Sequence, residues 1–171
     1  MATTISSKPT PDVDRPRIPA SYGISTSSTD YVDWQHIEER LTQDRVYWIA
    51  TSGPGGRARV RPVDGLYVDG VIFVGGSPET RWVQDIAANA HVSVHLDGVE
   101  DVVIVEGDAE IMAGASPDLA ERLAAASRAK FPEYGMTPDS YTGPGTIAIH
   151  PRKVVAWTDF GNNPTRFRFF T

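Results

Sequence analysis

Three short β-rich segments joined by tight turns constrain the fold of this chain more than any other feature. Residues 46–51 are β-branched and aromatic, residues 52–56 form a Gly/Pro-rich turn, and residues 57–67 make the next β-rich segment. Asp69-Gly70 is typical of a hairpin turn and leads into residues 71–74. Connections this short favour antiparallel pairing, because parallel strands need a crossover of a dozen or more residues.

The rest of the chain continues this antiparallel pattern with short helices between hairpins. Apolar spacing predicts helices over residues 31–44, from Ser77 as N-cap with Pro78 as first helical residue, and after a cap at residues 116–118. Four further strands are predicted over residues 92–96, 102–112, 146–149 and 154–158. The prediction is a mainly β fold with short α-helices, a six- to seven-stranded antiparallel split β-barrel.

The chain divides into two unequal parts by composition. Residues 1–28 are rich in Ser, Thr and Pro, which predicts a flexible or extended N-terminal arm. Residues 29–171 carry the periodic segments and are expected to form the barrel domain. A basic, aromatic tail, residues 166–170, follows the last predicted strand.

Composition excludes several classes of function. The chain has no cysteine, which excludes disulfides, thiolate metal sites and cysteine nucleophiles. Its net charge of −6 argues against general nucleic-acid binding. No apolar run is long enough to span a membrane, and the N-terminus lacks the pattern of a secretory signal. We expect a cytoplasmic protein that binds neither nucleic acid nor membrane.

An arginine-rich strand is the first candidate binding feature. Arg57, Arg59 and Arg61 alternate, so their side chains share one face of the strand. Three guanidinium groups repel one another unless water or an anion separates them, and phosphate offers matching acceptor oxygens. A solvated surface face is the equally weighted alternative.

A glycine-rich helix start is the second candidate feature. Gly75-Gly76 precedes the predicted helix, whose free N–H groups and dipole favour an anion, and Thr80 and Arg81 add a hydroxyl and a charge. A plain helix cap is the alternative for this segment alone. A hairpin connects it to the arginine strand, so both could meet one anion. The glycine spacings of a phosphate loop and a dinucleotide fingerprint are absent.

Other candidate chemistries find little support. His91 and His95 share a strand face, but no third ligand stands at a suitable position, and we expect no metal site. No Gly-x-Ser-x-Gly motif indicates a hydrolase. Three tryptophans fall in helix or strand patterns that predict core positions, whereas Trp82 could pack in the core or on a ligand. The three are Trp34, Trp48 and Trp157.

Several segments, taken in order, resemble one known family. Residues 56–63 (GRARVRPV), 69–73 (DGVIF), 80–89 (TRWVQDIAAN) and 102–107 (VVIVEG) follow one another as in the pyridoxamine 5′-phosphate oxidase-like family. Within that family they are similar to the flavin/deazaflavin oxidoreductases of the FMN-binding split-barrel type. The endings at residues 154–157 and 165–169 are also similar to that family's.

The resemblance implies a cofactor in a groove at a homodimer interface, usually FMN or coenzyme F-420 and occasionally haem. It assigns the phosphate to arginines of the strand and of the helix start, and the ring to the strand backbone. The implied contacts are Arg59, Val60, Arg61, Pro62, Val63, Val74, Gly75, Thr80, Arg81 and Trp82. The chain departs from the family at Arg81-Trp82, where Arg-Lys is common and the lysine helps to bind phosphate.

The activity implied by the resemblance is hydride transfer between the cofactor and a small organic substrate, with the redox chemistry belonging to the cofactor. No catalytic residue is identified, although Tyr67, His95 and Arg61 are conceivable proton donors. The alternatives are a non-catalytic flavin- or haem-binding module and a pyridoxamine phosphate oxidase proper.

Overall fold

The computed structural model describes residues 11–24 and 27–170, which form one antiparallel sheet and three α-helices. None of the helices in these ranges is long and apolar enough to cross a membrane. The helices are α1 (Trp34–Gln43), α2 (Arg81–Ala88) and α3 (Pro117–Lys130). The strands are β1 (Asp12–Asp14), β2 (Val46–Ser52), β3 (Ala58–Val68), β4 (Val71–Gly75), β5 (His91–Leu96), β6 (Val102–Ile111), β7 (Thr146–Trp157) and β8 (Thr165–Arg168).

Six of these strands close into a barrel. The sheet has the order β1-β8-β7-β4-β3-β2-β5-β6, and β6 also pairs with β7, which joins the two ends of the six-stranded part. All of these pairings are antiparallel. Strands β8 and β1 extend the sheet beyond the closed ring. The predicted mainly β, antiparallel split barrel is confirmed.

The N-terminal segment adds the outermost strand. In β1, the Asp14 carboxylate accepts hydrogen bonds at 2.7 Å from Nε and Nη2 of Arg166, and one at 3.0 Å from Arg168. These contacts hold the pKa of Asp14 below its usual value, with the Arg166 hydrogen bonds as the main cause. Residues 1–10, 25 and 26 of the predicted arm lie outside the described residues, and the domain boundary at residue 28 stays a prediction.

Strand β7 corrects the prediction of two separate strands at residues 146–149 and 154–158. It runs unbroken from Thr146 to Trp157 along β6, with a bulge opposite Glu106 and Gly107. On its other edge, β4 pairs as far as Ile149 and β8 pairs from Lys153 onward. Pro151 lacks an N–H and lies between these two pairings, so the strand tolerates it. The predicted tail also contains a strand, β8.

Two apolar clusters hold the helices to the sheet. The larger fills the barrel and includes Ile37 and Leu41 of α1 together with Trp82 and Ile86 of α2. The smaller lies between α3 and the strands β3, β4 and β7. Its members include Leu66, Phe73, Leu119, Leu123 and Ala148.

The expected core positions of two tryptophans are wrong. Trp48 alternates with Tyr47 and Ile49, which are fully buried in the barrel, so its indole lies half-buried on the outer face. Trp157 follows the fully buried Ala156 and is half-buried in the same way. The strand period decides these positions, because hydrophobic residues also occur on the outer face of a sheet.

Candidate functional site

Strand β3 changes its partner at Gly65, and this change opens one edge of the sheet. Residues 58–64 pair with β2, whereas residues 65–68 pair with β4 on the other edge. Within the described chain, therefore, no strand covers the β4-side edge of residues 58–64. A Cβ at Gly65 would lie 2.3 Å from the Tyr47 ring, so only glycine allows this approach. The uncovered edge offers backbone N–H and C=O groups to a ligand.

Arg59 and Arg61 both contact α2. Nη1 of Arg59 lies 2.6 Å from Oδ2 of Asp85, whose side chain is buried. The guanidinium of Arg61 lies 5.7 Å from the centre of the Trp82 ring, a cation–π distance. Trp82 and Asp85 are three residues apart and share one helix face. The structure thus brings the predicted arginine strand against the predicted anion-binding helix.

Three cations of this region remain uncompensated. Arg57, Arg61 and Arg81 form no ion pair with a carboxylate of residues 11–24 or 27–170. At the start of α2, Thr80 is the N-cap, but its hydroxyl donates to the Ser77 carbonyl and does not cap the helix. The first N–H groups of α2 therefore have no side-chain cap, and the positive end of the helix dipole lies at this end.

The start of α2 corrects the prediction that Ser77 caps the helix and Pro78 begins it. The Ser77 hydroxyl accepts from the N–H of Glu79, and the Ser77 carbonyl accepts from the N–H of Thr80. These bonds close a separate turn, since serine side chains compete locally for backbone groups. Regular helical bonding begins only with the N–H of Gln84 donating to Thr80, so the helix starts at Arg81.

Trp82 packs against the glycine turn before the helix. Its side chain is only 4% exposed, and a Cβ at Gly76 would lie 2.6 Å from the ring. The Gly76 N–H donates to the carbonyl of Gly145 at 2.9 Å, which fixes the turn. The indole therefore belongs to the core, and its contact with a ligand stays a prediction.

A cavity of about 400 Å³ lies beside the uncovered edge of β3. Three of the predicted cofactor residues, Val63, Val74 and Gly75, line it. Its other walls come from α3, from the 3₁₀ turns that follow, Pro132–Tyr134 and Pro138–Tyr141, and from the start of β7. Sequence reasoning missed these walls, because their residues are far apart in the chain and share no local pattern. They include Ser127, Phe131, Tyr134, Tyr141 and Thr146.

Asp64 is the one charged residue among those that line the cavity in the described chain. The Tyr134 hydroxyl donates to its Oδ2, and this hydrogen bond raises the pKa of Tyr134. Phe131 and Tyr134 stack with ring centres 5.3 Å apart. One wall of the cavity is thus aromatic, and the cavity carries one negative charge, that of Asp64.

None of the three conceivable proton donors, Tyr67, His95 and Arg61, lines the cavity. The Tyr67 hydroxyl donates to Oε1 of Glu38 at 3.0 Å, and burial, followed by the charge of Glu38, raises its pKa. His95 stacks on Trp48 on the outer face of the sheet, with ring centres 6.2 Å apart. Tyr67 thus keeps its proton at neutral pH, and His95 lies on the outer face.

Lys130 is a half-buried cation that the sequence did not single out. Its Nζ donates to the Leu41 carbonyl at 3.2 Å and to the Tyr47 hydroxyl oxygen at 3.3 Å. Burial lowers its pKa to about 8, against the opposing charges of Asp44 and Asp64. Although Phe131 beside it lines the cavity, the Lys130 ammonium is directed to Leu41 and Tyr47.

A closed antiparallel barrel with an uncovered strand edge beside the start of a helix defines a protein of the split-barrel class. Residues 34–158 match the family model of pyridoxamine 5′-phosphate oxidase. The chain belongs to this family. No curated protein matches it in sequence.

Solved structures share the fold at low sequence identity. A protein described as an F420 reductase is 17% identical, with a TM-score of 0.53 over 68% of this chain and 94% of that one. An FAD-binding protein from Mesorhizobium loti is 18% identical, with a TM-score of 0.56 over 80% and 93%. HutZ, a heme storage protein from Vibrio cholerae, is 17% identical, with a TM-score of 0.56 over 69% and 89%.

Proposed function

We propose that this chain is an oxidoreductase that binds coenzyme F-420 or FMN and transfers hydride to or from a small organic substrate. The observation that carries the proposal is the position of uncompensated cations beside the uncovered edge of β3. Arg61 is half-buried, contacts α2 and lacks a carboxylate partner in the described chain, so it is placed to receive an anion. An F420 reductase and an FAD-binding protein among the similar structures support a flavin-type ligand.

The residues present fit such a cofactor. Arg61, Arg81 and the first N–H groups of α2 would hold its phosphate, and Arg59 would contribute the guanidinium nitrogens that Asp85 leaves free. The uncovered backbone of residues 60–63 would lie along the ring, with Val74 and Gly75 beside it. When bound, the cofactor supplies the hydride chemistry. The chain itself anchors the phosphate, orients the ring through backbone hydrogen bonds and excludes water at the apolar wall.

In this proposal Trp82 acts as a positioning residue. It stands where the family commonly has lysine, and its ring face supports the guanidinium of Arg61. Cation–π contact favours the charged group at that place and restricts its rotamers. One arginine held on an indole would thus take the place of a lysine that binds phosphate directly.

A second copy of the chain is proposed to cover the outer face of the sheet. Strand register places Pro62, Trp48, His95, Ile104 and Val155 side by side across five strands. These residues are half-buried or exposed, and no described helix packs on them. Val60, 58% exposed, adjoins the same face beside the uncovered edge. A homodimer through this face would bring partner residues next to the proposed cofactor.

Haem storage is the second candidate, favoured by the similarity of fold to HutZ. Haem iron usually takes a histidine, cysteine, methionine or tyrosine ligand. None of the four histidines lines the cavity, and His36, His91 and His150 each approach a carboxylate within salt-bridge distance. The cavity does hold other side chains of ligand type, namely Tyr134, Met136 and Tyr141, and the Tyr134 hydroxyl is bound to Asp64. The cationic helix start better suits a cofactor that carries phosphate.

Titration of the full chain with F-420 and with FMN, followed by cofactor fluorescence, tests the proposed function. We expect micromolar binding of one cofactor, and about tenfold weaker binding by Arg61→Met, because a charge-assisted hydrogen bond contributes about 1.5–3 kcal/mol. Arg128→Met, which removes an exposed arginine of α3, is the matched control. Binding of neither cofactor would reject the proposal. Turnover of a candidate substrate with the reduced cofactor would then distinguish an enzyme from a binding module.

A further inference from the structure

We infer that the α3 side of the cavity beside β3, away from Val63, Val74 and Gly75 where the proposed ring lies, is a site for a mainly apolar organic molecule that carries neither phosphate nor carboxylate, either an amine or an uncharged compound. The inference deepens the proposed function, and it rests on that function only in naming this molecule as the substrate. The assignment of a non-anionic ligand follows from the size, the wall residues and the charge of the cavity, and it does not depend on the cofactor.

The size and the walls of the cavity suit a small, largely apolar ligand. Its volume of about 400 Å³ lies within the range of about 300–1,000 Å³ that is typical of small-molecule sites. Leu66, Phe73, Phe131 and Met136 supply apolar and aromatic surface. A ligand that fills this space would gain from burial of its own apolar surface.

Three hydroxyl groups of largely buried residues offer hydrogen bonds to that ligand. Ser127, Thr146 and Tyr141 line the cavity and are only 2%, 7% and 8% exposed. Within residues 11–24 and 27–170, their side chains have no hydrogen-bond partner, although the backbone carbonyls of all three accept bonds. None of their hydroxyl oxygens is among the solvent-inaccessible, unpaired side-chain atoms of the described residues, so all three stay accessible to a ligand with its own donors and acceptors.

The charge of the cavity excludes anionic ligands. Asp64 is the sole charged residue of its lining, and no arginine, lysine or histidine contributes to the wall. Of the nearby cations, Arg45 over the Phe131 ring pairs with Glu133, and the ammonium of Lys130 is bound to Leu41 and Tyr47. The uncompensated Arg61 and Arg81 lie outside the lining of the cavity. A phosphate or carboxylate placed here would lose water without gaining a cation, which is strongly unfavourable. An ammonium group would instead gain the Asp64 carboxylate.

Binding of three probes of similar size to the full chain, without added cofactor, tests this inference. The probes are 2-phenylethylamine, 2-phenylethanol and 2-phenylethyl phosphate, and calorimetry with ligand-observed NMR reports their affinities. We expect the amine and the alcohol to bind, and the phosphate ester to bind at least about tenfold more weakly than either, since a buried charge needs a partner. Equal or tighter binding of the phosphate ester, or no binding of any probe, would overturn the inference.

Two variants locate the probes in the cavity. Asp64→Asn should weaken amine binding about tenfold and leave alcohol binding nearly unchanged, because only the amine forms a charged hydrogen bond. Ser127→Leu should abolish binding of both by filling the space, and Met136→Trp at the half-buried wall serves if that variant does not fold. Glu121→Gln, on an exposed position of α3, is the matched control and should bind as the native chain does.

The outcomes separate this inference from the proposed function. If the probes bind as expected but F-420 and FMN do not, the proposed oxidoreductase fails and the cavity remains a site for a non-anionic ligand. If a cofactor binds but Asp64→Asn leaves amine affinity unchanged, the proposed function stands and the assignment of the cavity fails.

Discussion

The two sides of strand β3 meet different chemical surroundings. Arg59 and Arg61 point toward α2, where a buried carboxylate and an indole ring hold them. Asp64 and Leu66 line the cavity on the α3 side, where the wall has no cation. A single strand, because its side chains alternate, can thus serve an anion on one side and exclude anions on the other.

The largest expected effect is on stability, when the Arg59–Asp85 contact on the α2 side of β3 is removed. Arg59→Met removes the partner of the buried Asp85 carboxylate and should lower the free energy of unfolding by about 3 kcal/mol. Urea denaturation at neutral pH measures it. Arg57→Met, an exposed arginine of the same series, should change stability by less than about 0.5 kcal/mol. Equal losses of unfolding free energy in both variants would show that the Arg59–Asp85 contact does not stabilise the fold.

A smaller effect is expected on assembly, at the outer face that adjoins Pro62. Trp48→Glu places a charge in the middle of the proposed dimer interface and should weaken association by about 2 kcal/mol or more, as at an interface hot spot. Light scattering across a range of protein concentrations measures it. Val99→Glu, at a position 89% exposed in the β5–β6 turn, should leave assembly unchanged. A native chain that is monomeric at all concentrations would contradict the dimer.

The smallest expected effect concerns the pH dependence of stability on the α3 side. Lys130 has a pKa of about 8 in the folded chain and an ordinary value of 10.5. Between these values the unfolded chain binds more protons, so the free energy of unfolding should receive a contribution that rises with pH. Comparison of Lys130→Met with the native chain from about pH 7.5 to 9.5 measures it by denaturation. An identical slope in both would contradict the low pKa.

Much of the fold could be predicted from local sequence, because turns and alternation are local. Residues 52–56 and Asp69-Gly70 marked the hairpins that join β2, β3 and β4. The start of α2 could not be located from the cap residue alone, since the Ser77 hydroxyl closes its own turn. The continuity of β7 depends on β4, β6 and β8 pairing with different parts of it.

The candidate site was only partly predictable for a related reason. The alternation of Arg57, Arg59 and Arg61 follows from strand period, and it indicated one cationic face. That Asp85 pairs with Arg59 depends on how α2 packs on the barrel, which the sequence of either element does not specify. The cavity joins Asp64 with Ser127 and Thr146, and only the packing of α3 and β7 around β3 brings them together.

Because Gly76 packs closely on Trp82, the residue at position 82 limits which residues position 76 accepts. Any side chain at position 76 would overlap the indole and the Val83 side chain, so a change there requires both neighbours to make room. If Trp82 is replaced first, glycine can stay at position 76, but the guanidinium of Arg61 loses its contact with the ring. Relatives of this chain that carry tryptophan at position 82 are therefore expected to carry glycine at position 76, whereas glycine at position 76 does not require tryptophan at position 82.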